Sequence, residues 1–259
     1  MKVVLLAGGL GTRISEETDI RPKPMVEIGG KPILWHIMKG YSHYGFNEFI
    51  ICCGYKGYII KEYFANYFLH QADVTFDLAL NQMTVHSSNT ENWKVTLVDT
   101  GLATNTAGRI KKIKKYVEGE RFMLTYGDAV STVNIQKLID FHIKNNKTAT
   151  VTSIQLPNRF GNIEADADGK VQTFIEKPTY EENWINGGFF VLEPEIFNYL
   201  EGDMENVQWE RQPLTEIAQK GQLMAYKHTG FWKCMDALRD KLELENLWKS
   251  NTADWKLWE

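Results

Sequence analysis

The sequence predicts an α/β fold with a Rossmann-like, mostly parallel sheet flanked by helices and a small β-rich portion. Short apolar runs bounded by glycine, beginning with Val3–Leu6, are typical of buried parallel strands. Segments with apolar residues at helical spacing lie between these runs, and this alternation predicts right-handed βαβ units. The 259 residues, 43% of them apolar and 24% charged, suit one well-cored domain.

The first half of the chain alternates regularly. Pro32 stands at a first-turn position of one amphipathic segment and Gly45 stands at its end, so that segment is predicted to be a helix. The expected elements are a strand that starts at residue 3 and ends before the glycine-rich loop, helix 31–44, strand 48–53, helix 57–68, an irregular hairpin within 72–93, strand 94–100, helix 110–117 and strand 122–126.

The second half is less regular, with shorter strands. Asp166–Gly169 is predicted to be a solvated hairpin turn, because its D-x-D-G spacing lacks the further ligands of a calcium loop. The expected elements are helix 133–145, strand 148–154, hairpin strands 160–164 and 170–175, helix 208–221, strand 223–228, a turn at 230–232 and a helix from 235–236 to 249.

Composition and charge exclude several classes of protein. A net charge of −4 and a pI near 5.9 provide no basic field for nucleic acid. No apolar run approaches the roughly 18 residues that span a bilayer, and the N-terminus has no signal-peptide pattern. Three cysteines, two of them adjacent at Cys52 and Cys53, indicate reduced thiols in a cytoplasmic protein without a structural zinc site.

The loop after the first strand is the strongest functional signal. It contains Gly8, Gly9 and Gly11, whose unshielded backbone N–H groups can approach an anion closely. Arg13 follows with a planar fork that matches phosphate oxygens, and Lys23 adds a compact charge between two prolines. The glycines alone would also fit a tight strand-to-helix turn beside solvated basic residues; the arginine and the lysine favour phosphate binding.

Two common glycine-loop motifs do not fit. A dinucleotide fingerprint starting at Gly9 would need glycine at position 14, which is Ile14. The P-loop pattern G-x-x-x-x-G-K-[ST] has no match. The observed G-G-x-G-T-R followed by K-P resembles the signature of the sugar nucleotidyltransferases, and Arg21–Met38 resembles the subfamily that uses CTP and glucose 1-phosphate. The resemblance covers nearly the whole chain and includes the segments 54–56, 126–128, 176–178, 185–190 and 235–236.

This resemblance implies that the chain transfers a nucleotidyl group from CTP to α-D-glucose 1-phosphate, giving CDP-glucose and pyrophosphate for polysaccharide biosynthesis of the O-antigen type. It also implies Mg²⁺ as cofactor and a homo-oligomer, a trimer or a hexamer. Residues 1–259 would form one domain, with a nucleotide-binding part at about 1–130, a sugar-phosphate-binding part at about 131–240 and a C-terminal helix and tail at 236–259.

The resemblance also assigns roles to residues. Arg13 and Lys23 are expected to be catalytic, and Asp128 and Asp236 are expected to hold Mg²⁺. Glu176, Lys177, Asn186 and Gly187 are expected to bind the sugar phosphate. The expected nucleotide-binding residues are Leu6, Ala7, Gly8, Gly9, Leu10, Gly11, Thr12, Thr104, Arg109 and Gly127.

The residues themselves leave alternatives open. Asp128 after a strand fits a turn or a helix cap as well as it fits a ligand site, and Asp236 before a helix is typical of an N-cap. The segment ending in Ala107-Gly108-Arg109 also fits a plain loop, and Ala107 and Ala129 replace family glycines. Rival functions are transfer from UTP or dTTP, a non-catalytic sugar-nucleotide sensor on the same fold, and a glycosyltransferase. The sensor is disfavoured because it would be expected to lack one of the two catalytic basic residues or one of the two metal carboxylates, and all four are present.

Overall fold

A mixed, mostly parallel sheet forms the centre of the protein in a computed structural model that describes residues 1–117, 119–156, 162–165, 170–175 and 184–258. The strands are β1 (Val3–Leu6), β2 (Glu27–Ile28), β3 (Lys31–Pro32), β4 (Glu48–Cys53), β5 (Ala72–Asp77), β6 (Gln82–Ser88), β7 (Lys94–Asp99), β8 (Phe122–Tyr126), β9 (Ala129–Ser131), β10 (Ala149–Ile154), β11 (Asn162–Ala165), β12 (Val171–Ile175), β13 (Ile185–Leu192), β14 (Leu223–Lys227) and β15 (Trp232–Cys234). Seven of them form the main sheet in the order β14-β10-β13-β8-β1-β4-β7.

Helices cover both faces of this sheet. They are α1 (Ser15–Thr18), α2 (Ile33–His43), α3 (Gly57–Ala65), α4 (Thr106–Lys112), α5 (Lys114–Val117), α6 (Ile135–Asn145), α7 (Gln212–Gln219) and α8 (Leu238–Lys249). Short 3₁₀ turns lie at Thr12–Ile14, Lys23–Met25, Leu69–Gln71 and Pro194–Tyr199. None of the helices in the described ranges is long and apolar enough to cross a membrane.

The central strand β1 shows why the short apolar runs become strands. It pairs in parallel with β4 on one side and β8 on the other, so that Val3 lies opposite both Phe49 and Met123. Val3 and Leu5 pack into one hydrophobic cluster and their alternate neighbours pack into a second cluster across the sheet. A strand buried on both faces needs a continuous apolar run, and the predicted strand starting at Val3 is confirmed.

The mixed character of the sheet comes from β13. This strand runs antiparallel to both neighbours, β8 and β10, whereas β10 and β14 are parallel. The chain leaves β1 toward β4 and β7 and then returns to β8 on the opposite side of β1. Loops that diverge from such a reversal leave a crevice at the carboxyl ends of the strands, where ligands bind in open α/β sheets.

Several local predictions were wrong, and two of them concern segments that line or support the functional site. The helix expected to begin at residue 110 begins at Thr106, because the backbone N–H groups of Asn105 and Ala107 find acceptors outside the helix, the carbonyls of Glu205 and Val207. Residues 230–232 were predicted to be only a turn, but Trp232–Cys234 forms β15, which pairs antiparallel with β9. Three residues are too few to show a strand period.

Two peripheral segments differ in exposure. The β5–β6 hairpin forms its own two-stranded sheet, and at its tip Leu78 is 90% exposed and Leu80 is 64% exposed. The C-terminal tail instead packs onto the body: Trp255 is buried, stacks on Trp248 and contacts His36 of α2.

Candidate active site

A cavity of about 350 Å³ opens at the carboxyl ends of β1 and β8, at the reversal of strand order. It brings together residues from five parts of the chain. Its walls are formed by Leu6, Ala7, Gly8, Gly9, Gly11, Thr12, Lys23, Pro24, Thr104, Asn105, Thr106, Arg109, Tyr126, Gly127, Asp128 and Asp236. Most of the residues predicted for the nucleotide and metal sites therefore line one cavity, while Leu10 is 54% exposed and is not part of its wall.

The glycine-rich loop forms the wall nearest β1. A side chain at position 8 would collide with Arg109, because a Cβ atom there would lie 2.1 Å from the guanidinium Nη1. Gly9 has no heavy atom within 4 Å of such a position, so its backbone faces open space. This loop leads into the 3₁₀ turn Thr12–Ile14. The side chain of Arg13 lies outside the described part of the structure, so its predicted role stays a prediction.

Lys23 connects the two predicted metal carboxylates. It begins a 3₁₀ turn that follows Pro22, and its Nζ donates to Asp128 Oδ2 at 2.7 Å and to Asp236 Oδ1 at 2.5 Å. The lysine side chain is only 13% exposed. Burial alone would lower the pKa of Lys23, but the two carboxylates outweigh it and raise the pKa above 10.5. The ammonium is therefore firmly charged and faces the cavity.

The short β9–β15 ladder brings Asp128 and Asp236 together although they are far apart in sequence. Asp128 directly precedes β9, and β15 ends two residues before Asp236. Cys234 pairs with Ala129, and the Met235 N–H donates to the Asp128 carbonyl at 2.8 Å. Because Ala129 is buried in this ladder, its methyl group is part of the support beneath the site.

Asp236 does not cap the helix that follows it. The N-cap position of α8 is Ala237, and the capping carboxylate is that of Asp240. Asp240 Oδ2 accepts from the backbone N–H groups of Asp236 at 3.0 Å and Ala237 at 2.8 Å. The Asp236 carboxylate is thus turned toward Lys23 and the cavity, which removes the helix-cap interpretation of this residue.

The donor set fits a magnesium ion that is completed by its substrate. Oxygens of Asp128 and Asp236 already converge on one cation, the Lys23 ammonium. Within the described ranges, no group of three or more His, Cys, Asp or Glu side chains is placed to hold a metal alone. Mg²⁺ is commonly bound by one or two carboxylates, with phosphate oxygens and water filling the other positions.

Arg109 lines the cavity, but its guanidinium donates hydrogen bonds to acceptors of the protein itself. The residue is 4% exposed, and its Nη atoms donate to the carbonyls of Gly8 at 2.9 Å and Gly101 at 2.9 Å and to Thr100 Oγ1 at 2.6 Å. Burial lowers the pKa of Arg109. Thr104, also buried, donates to Glu205. Both residues therefore support the cavity wall at the start of α4.

The predicted sugar-phosphate residues are only partly described. Glu176 and Lys177 lie outside the described residues. Asn186 is exposed at the start of β13, where its Nδ2 donates to the Tyr126 hydroxyl at 3.3 Å, and Gly187 accepts at its carbonyl from Trp232 Nε1 at 2.8 Å. Asn186 thus contacts a residue that lines the cavity.

Sequence reasoning missed four residues of the cavity wall: Pro24, Asn105, Thr106 and Tyr126. Tyr126 stands directly before Gly127-Asp128, so its position next to a predicted ligand was the available signal. Asn105 and Thr106 stand between Thr104 and Arg109, two predicted nucleotide-binding residues, and this position was their available signal.

This fold and this site define a nucleotide-handling α/β protein, and the chain belongs to the nucleotidyl transferase family, whose model matches residues 2–247. It is 56% identical to the glucose-1-phosphate cytidylyltransferase of Salmonella typhi, over 100% of both chains. The probable glucose-1-phosphate cytidylyltransferase of Bacillus subtilis is 45% identical, again over 100% of both. The crystal structure of HddC from Yersinia pseudotuberculosis has a TM-score of 0.69 at 25% identity, covering 95% of this chain and 99% of that one. The predicted family and fold class are confirmed.

Proposed function

We propose that this protein transfers a cytidylyl group from CTP to α-D-glucose 1-phosphate and releases pyrophosphate. The whole-length identity of 56% to a glucose-1-phosphate cytidylyltransferase supports the choice of substrates. The observation that carries the chemistry is the convergence of Lys23, Asp128 and Asp236 at the glycine-rich loop.

The reaction joins two anions. A phosphate oxygen of glucose 1-phosphate attacks the α-phosphorus of CTP, and the bond from that phosphorus to the bridging oxygen of the β-phosphate breaks, so that pyrophosphate leaves. The nucleophile is already ionised and needs no general base. The barrier lies in bringing the anions into line and in stabilising charge at the α-phosphorus, which calls for positioned cations and N–H donors.

The residues divide this task. Lys23 would bind the α-phosphate in the transition state, and Arg13 would bind the β- and γ-phosphates that leave. Backbone N–H groups of the loop around Gly9 would bind the triphosphate, and Lys177 would fix the sugar phosphate. Glu176 and Asn186 would read sugar hydroxyls.

Asp128 and Asp236 would hold a Mg²⁺ ion. When bound, the ion would supply neutralising charge to the phosphate oxygens of both substrates. In its absence the Lys23 ammonium keeps the same two carboxylates compensated. The Lys23 ammonium, which donates to both carboxylates, would also be the nearest cation for the α-phosphate.

Pyrophosphate release tests the function directly. The protein is mixed with Mg²⁺, glucose 1-phosphate and, in separate reactions, CTP, UTP, dTTP and GTP. We expect CTP to give the highest kcat/KM and the reaction to stop when divalent ions are chelated. Absence of pyrophosphate with CTP would overturn the proposal, whereas a faster reaction with UTP or dTTP would keep the chemistry and change the base.

The proposal extends to assembly and location. The exposed apolar side chains of the β5–β6 hairpin, among them Leu78 and Leu80, suit a contact between copies in a trimer or hexamer. Leu78→Glu should lower the mass measured by light scattering, and Ile143→Glu, at a residue 51% exposed on α6, is the matched control that should not. Three free cysteines suit the cytoplasm, where sugar nucleotides for O-antigen-type polysaccharides would be made.

A further inference from the structure

Glu210 joins two parts of the cavity wall without lining the cavity itself. It precedes α7 by two residues, and its Oε1 accepts from the Tyr126 hydroxyl at 2.7 Å. Its Oε2 accepts from Thr106 Oγ1 at 2.8 Å. Tyr126 is the last residue of β8, Thr106 begins α4, and both line the cavity. One carboxylate therefore spans the two sides of the site.

The tyrosine is held in one orientation by its surroundings. A Cβ atom at Gly188 would lie 2.5 Å from Tyr126 Cδ2, so the ring packs directly on the backbone of β13. Phe190 contacts the ring edge to face at 6.2 Å between centroids. The Tyr126 hydroxyl carries one proton, and it donates to Glu210 Oε1 at 2.7 Å. Since an ionised carboxylate only accepts, that proton belongs to the bond with Glu210.

The direction of this bond makes Tyr126 one of the two groups that orient Asn186. With its proton committed to Glu210, the Tyr126 oxygen is an acceptor for Asn186 Nδ2 at 3.3 Å. The amide oxygen of Asn186 accepts from the Gly188 N–H at 2.8 Å. Both ends of the amide are thus specified, and the side chain predicted to read sugar hydroxyls is held in one of its two flips.

The nucleotide side depends less on Glu210. Thr106 Oγ1 also accepts from the Trp209 N–H at 2.7 Å, and the helix backbone holds Thr106 in place. The Ala107 N–H on the same side is bound by the Val207 carbonyl at 3.1 Å. Loss of the carboxylate would remove one of several restraints there, but it would release the hydroxyl that orients Asn186.

We propose that Glu210 is a positioning residue for the sugar half of the reaction, acting through the Tyr126 hydroxyl on the carboxamide of Asn186. This inference rests on the proposed function, because it assumes that Asn186 faces the sugar. The effect is transmitted by the direction of one hydrogen bond, so a change that preserves size but alters donor and acceptor character should reveal it.

Glu210→Gln is that change, because a carboxamide has only one accepting oxygen, whereas the carboxylate accepts from the two hydroxyls through two oxygens. We expect the KM for glucose 1-phosphate to rise about tenfold, with the KM for CTP within about twofold and kcat within about threefold of wild type. Tyr126→Phe should have a similar effect. The double variant should be no worse than either single variant, because both remove the same link.

Glu216→Gln is the matched control, since this glutamate lies on α7 and pairs with exposed Lys220. Its kinetic constants should equal those of wild type. If Glu210 only stabilises the fold, Glu210→Gln would lower the melting temperature and the active fraction without a selective change in the sugar KM. That result, equal changes in both KM values, or additive effects in the double variant would each overturn the inference.

Binding measurements separate this inference from the proposed function. By calorimetry, Glu210→Gln should bind CDP-glucose about tenfold more weakly than wild type and CMP with unchanged affinity. If the wild type releases no pyrophosphate but binds CDP-glucose more tightly than CMP, the proposed function is overturned. The positioning role of Glu210 then stands only if Glu210→Gln weakens CDP-glucose binding selectively. A wild type without that preference would overturn both.

Discussion

Lys23 provides the sharpest test of the site, because one ammonium compensates two carboxylates. In Lys23→Met the side chain keeps its length but loses its charge and its donors, and Asp128 and Asp236 face each other without a counter-ion. Each charge-assisted hydrogen bond contributes about 1.5–3 kcal/mol. The variant should therefore fold less stably, and its two carboxylates should have a greater affinity for any other cation.

Two opposite changes follow from this substitution. Turnover should fall by about 10²–10³, roughly 3–4 kcal/mol, because a preorganised cation at the α-phosphate is lost. In the absence of nucleotide, Mg²⁺ should bind at least about tenfold more tightly than to wild type, because Lys23 no longer competes for Asp128 Oδ2 and Asp236 Oδ1. A variant that loses activity while gaining metal affinity is the distinctive signature.

Pyrophosphate release measures the first change and isothermal titration calorimetry with Mg²⁺ measures the second. Lys220→Met is the control, because it removes an exposed lysine that pairs with a single carboxylate, Glu216, at 2.7 Å. It should leave both measurements unchanged. Turnover within about threefold of wild type would remove Lys23 from the reaction. Unchanged metal affinity would show that the lysine and the metal do not share the carboxylates.

Two further predictions concern stability. Gly29 and Gly30 have φ values of +59° and +76°, but a Cβ atom would collide only at Gly29, where it would lie 2.0 Å from Trp248 Nε1. Gly29→Ala should therefore have a free energy of unfolding about 1–3 kcal/mol lower than Gly30→Ala, measured as a lower urea midpoint. Equal midpoints would contradict the packing of α8 on this turn. Burial lowers the pKa of His36 from 6.5 to about 4, so the neutral ring stabilises the fold fully above pH 6.5 and that contribution, roughly 3 kcal/mol, is lost as the pH falls toward 4. His36→Gln should flatten the decline of the urea midpoint over this range, and His43→Gln, at an exposed position, should not.

The parts of the fold that the sequence predicts well are those decided locally. The strands Glu48–Cys53 and Phe122–Tyr126 have the predicted bounds, because each contains an apolar run that only a doubly covered strand can bury. The glycine-rich loop is likewise recognisable in sequence, since the residues that form this wall of the cavity follow one another along the chain.

The parts that it does not predict depend on distant partners. Nothing in the residues around Asp236 shows that Trp232–Cys234 pairs with β9, and this pairing is what brings Asp236 to Asp128. The cap of α8 is similarly ambiguous in sequence, because Asp236 precedes the helix and Asp240 lies in its first turn. Their roles are distinguished only by their contacts, Asp236 with Lys23 and Asp240 with the backbone before the helix. Long-range pairing decides such sites, and local patterns do not encode it.

Arg109 shows how position changes the meaning of a charge. The sequence indicates a basic residue near a phosphate site, and direct binding is the simplest expectation. In the structure the guanidinium is surrounded by carbonyls at the ends of three adjacent strands, Gly8 after β1, Cys53 of β4 and Gly101 after β7. An arginine stays protonated even when burial lowers its pKa. It therefore fixes the spacing of these loops and places a positive charge behind the cavity wall of a chain whose net charge is −4.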